Sequence, residues 1–297
     1  MVLTWNGAHL LPDCLRSLQA QTAPIRITVV DNDSSDGTTD LLARDFPDVR
    51  HLKLPENLGY GRANNEAMRA ALDAGADFVA LINNDVELQP DWFEKLLAAA
   101  REQPASGLFC GTLLFRGQET VNSTGLTIDF FGRARDRDFR VPLRELRTTG
   151  GPVAGVSGGA ALLRGEMLEA VGLFDPGYFA YYEDVDLSLR AAALGFGSWY
   201  VREAIAHHRF GATFGPGSPR QRYLLGRGHL RTLGLHQPPG KALWLVPLTM
   251  GYRIAVKAPL DLLQARPKHA LSEVRAALEG GLSAARALAG RLSGSRR

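Results

Sequence analysis

The first hundred residues alternate short aliphatic, β-branched runs with longer stretches of helical periodicity, and this alternation limits the fold more than any other feature of the chain. Val2-Leu-Thr, Ile25 to Val30, His51 to Leu54 and Phe78 to Ile82 have strand length. Leu10 to Gln21, Thr38 to Asp45, Gly61 to Ala74 and Trp92 to Gln103 repeat apolar residues three and four apart. Strands joined through helices run parallel, so the pattern predicts an α/β fold: a Rossmann-like, mostly parallel sheet flanked by helices on both faces. In such sheets ligands bind beyond the carboxyl ends of the strands. The second run ends in Asp31-Asn-Asp-Ser-Ser-Asp-Gly and the fourth in Asn83-Asn84-Asp85, so both polar clusters are expected to face one crevice.

Beyond residue 103 the rhythm changes. Residues 107–163 read as short strands with turns, among them Gly107 to Phe115 and Val153 to Leu163, and the charged run Arg133 to Arg147 reads as loop or hairpin. A helix follows Glu183-Asp-Val-Asp. Phe210 to Pro219, rich in Gly and Pro, reads as a mobile lid; Ser272 to Arg291 is helical, and the chain from Ser293 onward is expected to fray.

Composition narrows the class. With 297 residues, 45% of them hydrophobic, the chain can bury a sizeable core, which excludes disordered, collagenous and disulfide-stapled classes. The net charge of +3 hides an asymmetry: residues 241–297 hold ten Lys/Arg against three Asp/Glu, which leaves the first 240 residues acidic. No basic stripe interleaves with aromatics in that acidic body, so no nucleic-acid partner is expected. The basic extension, with its Leu, Ala and Trp244, suits either an anionic membrane surface or a helix packed on the body. Cys14 and Cys110 lie far apart in no metal spacing and read as buried thiols of a reducing compartment. The start of the chain lacks a secretory pattern, and the longest apolar stretch, Ala242 to Tyr252, is closed off by Lys241 and Arg253. The expectation is a cytoplasmic protein, peripheral at the inner face of the cell membrane.

Four clusters carry candidate chemistry. Asn83-Asn84-Asp85 offers hard oxygen donors; Mg²⁺ takes one or two carboxylates and completes its shell with phosphate and water, although alone the triplet is equally a turn after a strand. Asp31 can accept the imide N–H of uracil or thymine, which cytosine lacks, while Asp33, Ser34, Ser35 and Asp36 read as a helix cap or Asx-turn. Glu183 and Asp184 follow Phe174, Phe179, Tyr181 and Tyr182, and aromatic surroundings raise a carboxylate towards the range of a general base. Asp186 and Arg190, four apart, read as a structural pair. His207 or His208 can complete a divalent-metal shell with a neutral imidazole, or be buried for packing.

In sequence order, Thr4-Trp5-Asn6-Gly7, Val29-Val30-Asp31-Asn32-Asp33-Ser34-Ser35-Asp36-Gly37-Thr38, Asn57-Leu-Gly59-Tyr-Gly61-Arg62-Ala-Asn64-Asn65, Leu81-Ile-Asn83-Asn84-Asp85, Gly158-Gly159-Ala160 and Glu183-Asp184 resemble glycosyltransferase family 2, of the GT-A fold, and within it the rhamnosyltransferase-like branch. The resemblance implies a domain over residues 1–235, with 1–105 binding nucleotide and 106–235 binding acceptor, followed by the basic helical extension 236–297. It implies an inverting transfer from a nucleotide-diphosphate sugar, of dTDP-rhamnose or UDP-hexose type, to a cell-surface polysaccharide or lipid-linked glycan. Thr4, Trp5, Asn6, Asp31, Arg62, Asn83 and Arg227 are then expected to hold the nucleotide. Asp85, with His207, is expected to bind Mg²⁺ or Mn²⁺, and Asp184 to act as general base, with Glu183 the alternative. Asn83 stands where the family's D-x-D motif has its first acid, and the chain begins about four residues later than its relatives usually do. A noncatalytic sugar-nucleotide-binding subunit and a nucleotidyltransferase are the rival readings. The second lacks a basic Gly-rich loop after the first strand, and a dinucleotide oxidoreductase lacks its G-x-G-x-x-G.

Overall fold

The computed structural model describes residues 1–211 and 215–293; part of the expected lid and the last four residues of the expected frayed end lie outside the described residues. The opening elements follow the anticipated order: β1 (Val2–Thr4), α1 (Leu11–Gln19), β2 (Thr28–Asp31), α2 (Thr38–Asp45), β3 (Arg50–Lys53), α3 (Tyr60–Asp73) and β4 (Phe78–Asn83). Their strands pair in parallel in the order β4-β1-β2-β3. Thr4 lies opposite Asp31, and Leu3 opposite Asn83, so the polar strand ends share one edge. β2 begins later than its apolar run, because Ile25 and Ile27 pack on the core from the approach to the strand.

The second part of the chain supplies β5 (Val86–Leu88), α4 (Trp92–Glu102), β6 (Ser106–Phe115), β7 (Val121–Ser123), β8 (Leu126–Ile128), β9 (Ala134–Asp136), β10 (Gly151–Val153), β11 (Ala160–Arg164), α5 (Gly165–Val171), α6 (Glu183–Ala193) and β12 (Gly197–His208). The sheet continues as β10-β12-β6-β11-β4, with β5 on β12 and β7 on β6. β12 runs parallel to β6, whereas β11 is antiparallel to both β4 and β6. The single strand expected over Val153 to Leu163 is therefore two, β10 and β11. Between them Gly155 bridges Leu126 and Gly159 O accepts the Asn83 N–H, so the connection stays tied to its neighbours without forming a strand. Within the charged run 133–147, β9 pairs with β8 as a hairpin, and a 3₁₀ turn forms at Leu143–Glu145.

Both sheet faces are buried, and β4 shows how the sequence achieves this. Its side chains alternate, so Ile82 enters one core with Val2, Val29, Leu11, Leu15 and Trp92, while Val79 and Leu81 enter the other with Met68, Met167 and Leu187.

The described chain divides into two compact units. The first comprises Met1–Thr127, Arg135–Phe179 and Asp184–Ala212, the second Ile128–Ala134, Ala180–Glu183 and Thr213–Arg297. The second unit is built on α7 (Pro219–His236), α8 (Pro239–Tyr252), a π-helical turn (Arg253–Lys257), α9 (Ala258–Leu263) and α10 (Pro267–Leu292). Ser218 starts α7 by accepting the Gln221 N–H at 3.2 Å, with Pro219 in the first turn. Leu230, Leu233, Leu245, Val246 and Ala284 form the core of this unit, so α7 packs with the C-terminal helices. Among the described residues, no helix is long and apolar enough to cross a membrane.

Candidate active site

The floor of the site is made by the loops after β1, β2 and β4, which interlock through side chains. Asn84 Nδ2 donates to Thr4 Oγ1 at 2.9 Å across 80 residues of sequence, with both groups buried. Gly7 packs into this junction, where a Cβ would strike the Asn84 amide and the Thr4 hydroxyl. Asn6, in the left-handed region at φ 51°, accepts the Ser35 N–H at 2.8 Å and donates its own N–H to Ser34 Oγ at 2.9 Å. Asp36 takes the Ala8 N–H at 2.9 Å and the Thr38 hydroxyl at 2.6 Å, the turn-forming role read for it in the sequence.

These contacts sort the residues expected at the nucleotide. Thr4 Oγ1 and Asn6 Oδ1 are engaged within the loops, whereas the Trp5 ring between them is 40% exposed. Asp31 is fully buried: Oδ1 accepts the Ser34 N–H at 2.8 Å, while Oδ2 lies 3.5 Å from both Thr39 Oγ1 and His51 Nε2. Asn83 donates its backbone N–H to Gly159 O at 2.9 Å, and its side-chain amide faces Gly159. Arg62 sits on the exposed side of α3, in a groove of about 650 Å³ shared with Glu66, Arg69 and Glu169. Arg227 belongs to the second unit, on α7, where its charge acts on Tyr223 and Glu279.

The histidine beside Asp85 is not the expected one. β5 pairs antiparallel with β12, placing His208 opposite Val86 and His207 opposite Glu87. Successive strand residues point to opposite faces. His208 Nε2 consequently reaches Asp85 Oδ1 at 3.2 Å, while His207 Nε2 lies 3.3 Å from Gln89 Nε2. On the other side of the His208 ring, Nδ1 is 2.8 Å from Asn122 Oδ1. An amide oxygen only accepts, so Nδ1 carries the proton and Nε2 is directed at the Asp85 carboxylate. A carboxylate and an imidazole nitrogen converging in this way suit Mg²⁺ or Mn²⁺ with phosphate oxygens completing the shell. Among the described residues no group of three His, Cys, Asp or Glu side chains is arranged to hold a metal alone.

Both carboxylate oxygens of Asp184 accept backbone N–H groups. Oδ2 accepts the Gly158 N–H at 2.9 Å and Oδ1 the Val185 N–H at 2.8 Å; the Gly158 carbonyl in turn accepts the Tyr60 hydroxyl at 2.6 Å. Burial raises its pKa despite those donors. Asp186 pairs with Arg190 at 2.8 Å, and that guanidinium also donates to the carbonyls of Val171 and Leu173, so this pair is structural as anticipated. Glu183 is buried at the first position of α6. The two residues before it, Tyr181 and Tyr182, both adopt left-handed backbone, at φ 67° and 75°, uncommon for aromatic side chains. That turn lies against α7 at Gly228, where a Cβ would stand 2.8 Å from Tyr181 O.

Of the two histidines weighed for a metal shell, His208 rather than His207 meets Asp85, and two further residues, Asn122 and Asp136, carry no sequence motif. Asp136 is pushed up to about 6, first by burial and then by the Asp184 charge, with the Ser123 hydroxyl and His208 opposing. Its only signal in the sequence is its place in the charged run Arg133 to Arg147, which reads as loop or hairpin.

Comparison with known proteins places the chain in a family. Residues 1–172 match the family model described as Glycosyl transferase family 2. The N-acetylglucosaminyl-diphospho-decaprenol L-rhamnosyltransferase of Mycobacterium tuberculosis is 31% identical over 235 residues, 72% of this chain and 76% of that protein. Among solved structures, the mannosyltransferase PcManGT from Pyrobaculum calidifontis, in complex with GDP-Man and Mn²⁺, superposes with a TM-score of 0.57 at 20% identity, covering 99% of this chain and 79% of that one. GalNAc-T7 with UDP, GalNAc and Mn²⁺ gives a TM-score of 0.63 at 15% identity, covering 95% of this chain and 54% of that one.

Proposed function

This chain belongs to glycosyltransferase family 2, and from that premise we propose that it inverts the anomeric centre of a nucleotide-diphosphate sugar while passing the sugar to a hydroxyl of a cell-surface polysaccharide or lipid-linked glycan. The observation that carries the reading is Asp184, a carboxylate raised by burial and held by two backbone N–H groups. A base must be partly desolvated to compete for a hydroxyl proton and fixed in place to meet it. Asp184 takes the acceptor proton as that oxygen bonds to the anomeric carbon and the bond to the nucleoside diphosphate breaks. One displacement inverts the configuration and leaves no glycosyl-enzyme.

The donor end is held by the loops after β1, β2 and β4. The exposed Trp5 ring offers a stacking surface to the base, and Asp31 Oδ2 the acceptor for a uracil or thymine imide; Oδ1 is committed to Ser34. Asn83 faces the ribose and diphosphate. Asp85 and His208 would hold Mg²⁺ or Mn²⁺, which would supply positive charge against the departing diphosphate. The rhamnosyl activity named for the mycobacterial relative favours dTDP-rhamnose as donor over UDP-hexoses. The acceptor is a lipid-linked glycan met at the inner face of the cell membrane through the C-terminal extension.

Asp184→Asn tests the assignment. Nucleotide affinity is expected to stay within about twofold while transfer drops by about 10²- to 10⁴-fold, the contribution of a positioned base. Near-normal turnover by this variant removes Asp184 from the role and leaves Glu183 as the base.

A further inference from the structure

The helical stretch α8–π–α9 is amphipathic with its polar side turned inward. Arg253, Lys257 and Asp261 recur every four residues, and all three face the protein: Arg253 and Lys257 pair with Glu273 of α10, which is completely buried, and Asp261 accepts Arg222 Nη1 at 2.9 Å. The opposite side is left outside. Every exposed residue between 243 and 263 lacks charge, and the strip includes Leu243 at 64% exposure, Trp244 at 45%, Leu248 at 53%, Leu260 at 49% and Leu263 at 83%. At 1.5 Å per residue it is about 30 Å long. A solvated helix presents the reverse arrangement, and an exposed apolar surface of this extent marks an interaction site.

From this we infer that the outer face of α8–α9 lies in the plane of an anionic phospholipid bilayer, with Trp244 and Tyr252 at headgroup depth. The inference rests on the proposed work at a lipid-linked acceptor and names the surface that brings the enzyme there. Three observations favour lipid over a protein partner. The strip offers no charged or amide side chain with which to build the hydrogen bonds that a protein interface carries about once per 100–200 Å². The exposed charges at its C-terminal border, Arg266 and Lys268, are both basic, while the only acid between 239 and 268, Asp261, is buried and paired. Aromatic rings amid aliphatic side chains, with cations at the border, are the composition of helices that lie in the headgroup boundary. The basic helix α10 is a weaker candidate: Glu273 on its inner side pairs with Arg253 and Lys257, and Arg291 caps Gly234 and Gln237 carbonyls at 2.9 and 2.8 Å.

The test is co-flotation of the full chain with vesicles of phosphatidylcholine alone and with about a third phosphatidylglycerol. Wild type is expected to float with the anionic vesicles and less with the neutral ones. Leu248→Glu with Leu260→Glu should lower anionic-vesicle partitioning by about tenfold or more, with melting temperature and nucleotide affinity unchanged. Leu248→Ser with Leu260→Ser, a milder pair, covers the case in which the glutamates impair folding. Arg266→Glu with Lys268→Glu should remove the preference for anionic over neutral lipid. Wild type that ignores both vesicles, or strip variants that float as well as wild type, would overturn the inference. So would a wild type that is dimeric by light scattering while the strip variants are monomeric, since the strip then serves a second copy of the chain. Transfer to a water-soluble acceptor, measured in parallel without vesicles, reports on the enzymatic reading separately: its loss in wild type counts against that reading whatever the vesicles show.

Discussion

His208 Nε2 stands 3.2 Å from Asp85 Oδ1 although the two residues are more than 120 positions apart, brought together by the three-residue strand β5 lying antiparallel on β12. Because the neighbouring His207 is turned to Gln89, the two histidines should behave differently on replacement. His208→Ala is expected to abolish most of the Mn²⁺-dependent gain in nucleoside diphosphate affinity, and His207→Ala to leave it near wild type, by titration with and without Mn²⁺. Asn122→Ala, which removes the acceptor holding Nδ1, should cost about 10- to 100-fold in metal affinity. Equal effects at both histidines would contradict this geometry.

A second expectation concerns the turn before Glu183. Gly228 meets Tyr181 O and the Tyr182 side chain, so Gly228→Ala places a methyl 2.8 Å from a carbonyl that belongs to an already left-handed pair of residues. Backbone must shift, at about 1–3 kcal/mol. Thermal melting should show a lowered midpoint, with transfer falling further than stability alone explains, because the displaced turn leads directly into Asp184.

His229 gives the second unit a dependence on acid. Its Nε2–H donates to Phe131 O at 3.0 Å, and burial lowers its pKa to about 4, with the charges of Arg253 and Arg133 adding to the effect. The unfolded chain takes up a proton near pH 6.5 and the folded one only near 4, so its contribution to stability is intact above 6.5 and lost progressively from there to 4. Denaturant titrations at pH 7 and pH 5 should show the loss in wild type and a smaller one in His229→Gln.

Asp136 acts in the opposite direction. With its folded pKa pushed up to about 6, the cost of holding it ionised is absent below the unfolded value and complete above pH 6. Asp136→Asn is therefore expected to raise the melting temperature at pH 7.5 and leave it unchanged at pH 3.5. A lower melting temperature at pH 7.5 would show that the carboxylate is stabilising.

The parts of this fold that were legible from sequence are those where local pattern and burial coincide. The bounds of α2 agree to the residue, and the parallel direction of the first four strands, though not their order, follows from the alternation of runs. Asp186 with Arg190 was visible because helix spacing alone creates the pair. What escaped depends on pairing between distant segments. Whether His207 or His208 reaches Asp85 is a matter of strand register, which no local pattern records. Asn122 and Asp136 sit on three-residue strands whose neighbours are set by the sheet rather than by their own sequence. Asp31 and Asn6 matched a motif, yet most of their polar atoms turn out to be used in building the loops.

The junction of Gly7, Thr4 and Asn84 has a consequence for how the protein acquires its site. The hydrogen bond between Asn84 and Thr4 closes a loop of some eighty residues at the end of β1, which lies between β2 and β4. Contacts of such sequence separation are entropically expensive to nucleate and slow folding. The nucleotide pocket should accordingly be among the last features to mature during refolding, so that recovery of ligand binding lags behind recovery of helical circular dichroism. If the junction holds the donor nucleotide as proposed, that nucleotide would slow the opening of the native state and so act as a kinetic clamp on it.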